Sequence, residues 1–559
     1  MSRIKERLQF LYGDRSEEIC REIQKLTDKW KGRIKKSYPW PDKKDAILIT
    51  YGDGIKKEGM TPLQALKTFL DGEMEKTISG VHLLPMFPYT SDDGFSVQDF
   101  REINPELGTW KDIEALGENY DLMFDAVINH ASKSSVYFQE FLKGNEKYRN
   151  FFIVADPDED YSSVTRPRAL PLLTAFETED GKKYVWTTFS EDQIDFNYKE
   201  PAVLLEILDI LLFYVSKGAR FLRFDAIGFA WKEQGTTCMH LPQTHELIKL
   251  MREVLEECVK GCTIITETNV PHKENISYFG DGTDEAGLVY QFPLPPLTLY
   301  SYIVGNAEKL TEWAASLEPT SPQTTYFNFL ASHDGIGMRP VEDILSEEER
   351  RKMLDAVYER GGQVGVRTDS DGKEIPYELN INYLDAVAGD EKVEDVMAQK
   401  FMGSQCILLS LMGVPGIYYH SLLGSRNCYR DYEESGIKRR INREKLDLDN
   451  LLEELGRDSL RRKVLLRYKE LLKIRKTQDA FSPNSAQEVL CLHPSIFALV
   501  RGEKNERILI LVNVSDEKVS ITVPYFGTDL LSGEHVEKDI SLESYEYKWI
   551  KLEEGAEAS

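Results

Sequence analysis

The sequence predicts an α/β chain: a (β/α)8 TIM barrel with subdomains inserted after strands 3 and 7 and an antiparallel β domain at its C-terminal end. Three patterns carry that prediction. Eight short apolar runs end in polar residues, helix-like stretches lie between several of them, and alternating strands replace both after about residue 478. Repeated strand-then-helix order builds a parallel sheet, and eight such units close into a barrel whose functional residues gather at the C-terminal strand ends.

In chain order the runs are "DAILITYGD" (45–53), "GVHLLPMFP" (80–88), "DLMFDAVINH" (121–130), "ARFLRFDAIG" (219–228), "CTIITETN" (262–269), "LVYQFPLPP" (288–296), "TTYFNFLASHDG" (324–335) and "GVPGIYYHS" (413–421). The stretches "TPLQALKTFLDGEMEK", "PAVLLEILDILLFYVSKG" and "HELIKLMREVLEECVK" have the spacing of helices. Residues 131–190, polar and Pro-bearing, interrupt the rhythm after the third run, and residues 336–396 interrupt it after the seventh. Long insertions in a compact domain usually serve as lids or binding loops. The barrel is therefore expected over 1–130, 191–335 and 397–477, and the inserted subdomains over 131–190 and 336–396. The β domain, with "SIFALVRG", "RILILVNVS" and "KVSITVPY", is expected over 478–559, ending in a short loose tail, "LEEGAEAS".

A chain of 559 residues can bury a large core, and no window approaches the ~18 uninterrupted apolar residues of a membrane span. A formal charge of −25 opposes a nucleic-acid partner, which calls for a basic face. An anionic substrate would need local Arg or Lys acting against that field. The seven cysteines follow no disulfide or zinc spacing, and the N-terminus "MSRIKERLQFLYGD" is amphipathic without a signal-peptide core, so a soluble cytoplasmic protein is expected.

The strand ends carry the candidate chemistry. Asp53, Asp125 with Asn129 and His130, Arg223 with Asp225, Glu267, and His333 with Asp334 each close one run. Any one alone fits a cap or a turn. Five barrel strands ending this way would converge on one pocket and bring Asp225, Glu267 and Asp334 face to face. Three carboxylates without metal-ligand spacing suit a nucleophile, a general acid and a charge stabiliser, the division of labour of glycosidic-bond chemistry. Arg223, on the same strand face as Asp225, is placed to keep it ionised, while negative neighbours raise the pKa of another carboxyl. Neither a metal nor an organic cofactor is called for.

"DAVINH", "FLRFDAIGF", "ITETN" and "FLASHDG" resemble, in order, the four signature regions of the alpha-amylase superfamily. The resemblance implies Asp225 as nucleophile, Glu267 as acid/base and Asp334 as transition-state stabiliser, with Arg223, His130 and His333 orienting the nucleophile and holding sugar hydroxyls. Further segments, among them "LITYGD", "VHLLPMFPYTSDDGF", "RPRALPLL", "WTTFSEDQID", "SHDGIGM" and "KRRINR", are similar to the sucrose phosphorylase branch, in which a glucosyl group passes between an acceptor and inorganic phosphate. That likeness implies Asp53 and Arg439 on the far hydroxyl of the glucosyl ring, Phe189 as its apolar wall with Gln193 beside it, and Arg168 on phosphate. A guanidinium fork suits phosphate oxygens better than a lysine point charge.

Departures from that branch cluster in the acceptor half: Phe229, Asn269, Thr165, and Ile375 and Glu378 around Tyr377 in "PYELN". The same donor and a different acceptor are therefore expected. "TRPRALPLL", "MHLPQTHELIKL", "ETNVPHKENISYFGDG" and "PYELN" look most like the glucosylglycerate phosphorylases. This likeness implies retaining phosphorolysis of a glucosylglycerate by double displacement, with inorganic phosphate as co-substrate. Phosphorolysis of sucrose or sucrose 6′-phosphate, and hydrolysis of an α-glucoside, are the enzymatic alternatives; a non-catalytic binding subunit is the alternative from another class.

Overall fold

The structure, a computed structural model, describes residues 2–74, 76–168, 170–368 and 374–553. Each of the eight apolar runs supplies one strand: β1 Ile47–Thr50, β2 Gly80–Leu83, β3 Asp121–Ala126, β4 Ala219–Phe224, β5 Thr263–Thr266, β6 Leu288–Tyr290, β7 Thr325–Asn328 and β8 Val414–Tyr418. Neighbours in sequence are neighbours in the sheet, all pairs are parallel, and β8 pairs with β1 to close the barrel. All six residues of β4 are buried, as a strand covered on both faces requires. Its register sets Arg223 level with Asp125 on β3 and Ile265 on β5, so a charged pair lies side by side at one barrel level.

Helices of the outer ring begin where their sequences have cap signals. Helix Pro62–Glu73 follows Thr61 in a capping box with Gln64, and helices Pro201–Ser216 and Pro242–Cys258 each open on proline, whose missing N–H costs nothing at that position. Ahead of β1, helices Ser2–Tyr12 and Ser16–Lys31 pack on helix Pro242–Cys258, and Arg7 pins them there through Glu246 and Glu253, each at 2.9 Å.

Between β3 and β4 the chain adds helix Val136–Leu142 and an antiparallel hairpin, Leu173–Thr178 with Gly181–Trp186. Between β7 and β8 it adds a three-stranded antiparallel sheet in which Glu374–Asn380 lies between Ile336–Gly337 and Gln363–Thr368. A six-stranded antiparallel sheet and a separate strand pair follow the barrel. Trp549 and Arg501 anchor that sheet to the barrel, donating to Ser410 Oγ at 2.9 Å and Ser410 O at 2.6 Å. Residues 554–559, most of the expected loose tail, lie outside the described residues. All seven cysteines are unpaired, and among the described residues no helix is long and apolar enough to cross a membrane.

Candidate active site

The C-terminal ends of the strands and both insertions line one cavity of about 560 Å³. Arg223 is its hub. Buried at the end of β4, its Nη1 donates to Asp125 and, at 3.0 Å, to Asp225 Oδ1, while Nη2 stands 3.8 Å from Glu267 Oε2. His82 Nε2 holds Asp125 from its other side at 2.7 Å. Just past β4, Ala226 enters the left-handed region (φ 49°) and its amide donates to Glu267 Oε2 at 3.3 Å. Asp225 and Glu267 are thereby near neighbours on adjacent strands. Arg439, on the short turn Lys438–Asn442, faces them with Nη1 2.6 Å from Asp334 Oδ1, while its Nε and Nη2 fork Glu378 at 3.0 and 2.8 Å. Deleting one partner of buried pairs like these costs about 3–5 kcal/mol, because the other charge is left uncompensated.

Aromatic faces and neutral imidazoles complete the inner half. Phe95 stacks on His333, centroids 4.8 Å apart, and His130 Nε2 donates to the Phe95 carbonyl at 2.9 Å. Phe189 meets Phe229 edge-on at 5.5 Å, and Arg168 lies over Phe189 while its Nη2 donates to Asp92 Oδ2 at 3.0 Å. Gln193 Nε2 donates to the same Asp92 oxygen at 3.2 Å. Apolar ring faces bounded by fixed donors and acceptors suit a sugar, which presents C–H surface ringed by hydroxyls.

Burial and charge set the protonation states. Burial pushes both Asp225 and Glu267 above the usual carboxylate range, against the pull of Arg223; the charge of Glu267 adds to the rise at Asp225, and that of Asp334 to the rise at Glu267. Such a pair shares one proton. The guanidinium is closer to Asp225 than to Glu267 and so favours the charge on Asp225 and the proton on Glu267. Burial also lifts Asp334, but Arg439, His333 and Arg443 outweigh it and hold that carboxyl well below the usual range. Burial drives the imidazoles toward neutrality, His333 down to about 3, and raises Tyr377 to about 12.

The outer half is made by the insertions. Arg166 comes from the first, and Arg339, Glu342 and Arg367 from the second. Asn269 also lines the cavity, and a Cβ at Gly337 would come within 2.9 Å of its amide. Among the described residues no group of three His, Cys, Asp or Glu could hold a metal ion.

Comparison with known proteins matches residues 73–355 to the alpha-amylase catalytic domain. The chain is 46% identical to the glucosylglycerate phosphorylase of Spirochaeta thermophila and 46% identical to that of Allomeiothermus silvanus, with 98% of both chains covered in each case. The chain belongs to the alpha-amylase family. Its fold also resembles the solved sucrose 6F-phosphate phosphorylase from Thermoanaerobacter thermosaccharolyticum, with a TM-score of 0.74 at 24% identity over 89% of this chain and 98% of that one.

Twelve of the thirteen candidate residues read from the sequence line this cavity: Asp225, Glu267, Asp334, His130, Arg168, Phe189, Gln193, Arg223, His333, Tyr377, Glu378 and Arg439. Asp53, expected on the far hydroxyl of the sugar, is the exception and lies outside the lining. The chain turns after β1, with Gly54 N donating to the Tyr51 carbonyl, and this carries the Asp53 carboxylate to Lys445 at 2.6 Å and Lys56 at 3.3 Å, away from the lining. Asp92 stands in the cavity instead, in the "SDDGF" segment, where Asp92 and Asp93 have φ of 55° and 46°. That turn needs Gly94, whose φ is +117° and whose Cβ would lie 2.9 Å from the Pro85 carbonyl. Three polar residues before Gly-Phe signalled a tight turn, but not that it faces the site. His82 was also missed, because one histidine inside an apolar strand reads as core. Glu378, expected among the residues facing the acceptor, spends both oxygens on Arg439.

Proposed function

We propose that this member of the alpha-amylase family is a retaining glucosylglycerate phosphorylase, converting 2-O-(α-D-glucosyl)-D-glycerate and inorganic phosphate reversibly to α-D-glucose 1-phosphate and D-glycerate. The observation that carries the chemistry is Arg223 between Asp225 and Glu267, which keeps the negative charge on one carboxyl and the proton on its neighbour. The acceptor assignment rests on full-length likeness to glucosylglycerate phosphorylases.

In the first half-reaction Asp225 attacks the anomeric carbon, the bond from that carbon to the glycerate oxygen breaks, and Glu267 gives its proton to that oxygen. Asp334, held ionised by Arg439, faces the positive charge that develops on the ring. Phosphate then attacks the glucosyl ester of Asp225 from the vacated side, Glu267 takes the phosphate proton, and two inversions give net retention. His130, His333, Asp92 and Arg439 hold the sugar hydroxyls, and the Phe189 and Phe229 rings cover an apolar edge. Phosphate serves as co-substrate, with no organic cofactor. We also propose a cytoplasmic location, in keeping with seven unpaired cysteines.

The test is incubation of enzyme and glucosylglycerate with and without phosphate. The expected products are glucose 1-phosphate and glycerate in equal amounts, dependent on phosphate. Free glucose at one rate in both arms would identify a hydrolase instead.

A further inference from the structure

Six carboxylates and six arginines line the cavity, and their pairing is uneven. The inner arginines are committed: Arg223 to Asp225 at 3.0 Å, Arg439 to Asp334 and Glu378 at 2.6 and 2.8 Å, and Arg168 to Asp92 at 3.0 Å. The outer three are not. Among the described residues Arg339 reaches only Glu274, at 4.0 Å, and Arg367 touches Glu342 through a single nitrogen at 3.3 Å. Among the described residues Arg166 meets no carboxylate, and the Nε atoms of Arg166 and Arg367 are both buried with no acceptor. A guanidinium whose donors are desolvated and unmatched is costly by itself and is stabilised by an oxyanion placed against it. In a chain of net charge −25, these three groups bring positive charge into the cavity lining.

We infer that Arg166 and Arg367 form an oxyanion cradle that holds the carboxylate of the acceptor, and that Arg168 is not its principal partner. The inference rests on the proposed reaction. In glycerate the carboxyl carbon is attached to the carbon bearing the transferred oxygen, so the carboxylate must lie just outside the atom that Glu267 protonates. Both insertions contribute to the lining of the cavity that holds Glu267, Arg166 from the segment 131–190 and Arg367 from the strand Gln363–Thr368. Because each guanidinium offers several donors, two of them can engage both carboxylate oxygens, which a neutral side chain cannot do. Arg168 lies over the Phe189 ring and is bound to Asp92, so its charge is already used on the glucosyl side.

The test compares glycerate with glycerol, the same skeleton without a carboxylate, as acceptors from glucose 1-phosphate, with phosphate release as the readout. Arg166→Gln, Arg367→Gln and Arg168→Gln are assayed beside the wild type, and the quantity read is the ratio of kcat/KM for glycerate to that for glycerol. Taken on one preparation, the ratio is insensitive to the fraction of folded enzyme. In the first two variants it should fall tenfold or more, through KM for glycerate, and in Arg168→Gln by a smaller factor. An unchanged ratio in both Arg166→Gln and Arg367→Gln, or the largest fall in Arg168→Gln, would overturn the cradle. A wild type that does not use glycerate would instead overturn the proposed function, so the two failures are distinct.

Discussion

The inner and outer halves of the cavity are built from different material. The inner half is made by strand ends of a closed barrel and the turns that follow them, and its charges are interlocked: Arg223 with Asp125 and Asp225, Arg439 with Asp334 and Glu378. The outer half is made by segments inserted between strands, and among the described residues its arginines are weakly paired or unpaired. Interlocked charges have little freedom to reorganise, which suits groups that must stabilise one transition state whatever the acceptor. Loosely paired charges are available to whichever anion arrives, and in the proposed reaction two different anions must use that space in turn.

The contrast makes predictions of decreasing size. Asp225→Asn removes the nucleophile and should lower kcat by about four orders of magnitude or more with every acceptor, ~5 kcal/mol of transition-state stabilisation. Activity within tenfold of wild type would remove Asp225 from the chemistry. Arg223→Lys keeps a charge but loses the planar fork between carboxylates, so kcat should fall about 100-fold and melting temperature should drop as well. A loss confined to one acceptor would contradict its place in the inner half.

Glu378 sharpens the boundary, because the sequence reading puts it on the acceptor side and the structure ties it to Arg439. Glu378→Gln weakens a charge-assisted fork by about 1–2 kcal/mol, and kcat/KM should fall by a similar factor for glycerate and for glycerol. A change in the ratio of the two would return Glu378 to the outer half.

The smallest effect concerns stability. Burial raises the pKa of Glu267 in the folded protein above its unfolded value, so ionising it costs folding energy. That cost is absent below the unfolded value near 4.5, grows as pH rises toward the raised folded value, and is constant above it. Glu267→Gln should therefore melt about 1–3 °C higher than wild type at pH 8, with the difference vanishing at acid pH, although it is inactive. Equal melting temperatures at pH 8 would mean that Glu267 is not raised.

The barrel and most of the inner half were legible in the sequence for a common reason. Strands covered on both faces are continuous apolar runs, so an ionisable residue at their ends stands out, as Arg223, Asp225, Glu267 and Asp334 do. Asp92 was not legible, because its place depends on a left-handed turn that folds back over the strand ends, and two neighbouring acids give no hint of which one points inward. Asp53 misled for the converse reason: it ends a strand, but the turn beyond β1 directs it to Lys445. The outer half was legible only as composition. Residues 131–190 and 336–396 are legible as insertions, yet which arginine is paired follows from contacts between distant segments, such as Arg168 with Asp92 and Arg439 with Glu378, that no local pattern encodes.

The central claim is a glucosyl group held on Asp225 by the inner half and handed to an oxyanion at the mouth. Its most direct test is proton NMR of the sugar phosphate first formed from glucosylglycerate in phosphate buffer. The account predicts α-glucose 1-phosphate as the initial product, through two inversions at the anomeric carbon. Initial formation of the β anomer would mean a single displacement without Asp225 as nucleophile, and would contradict it.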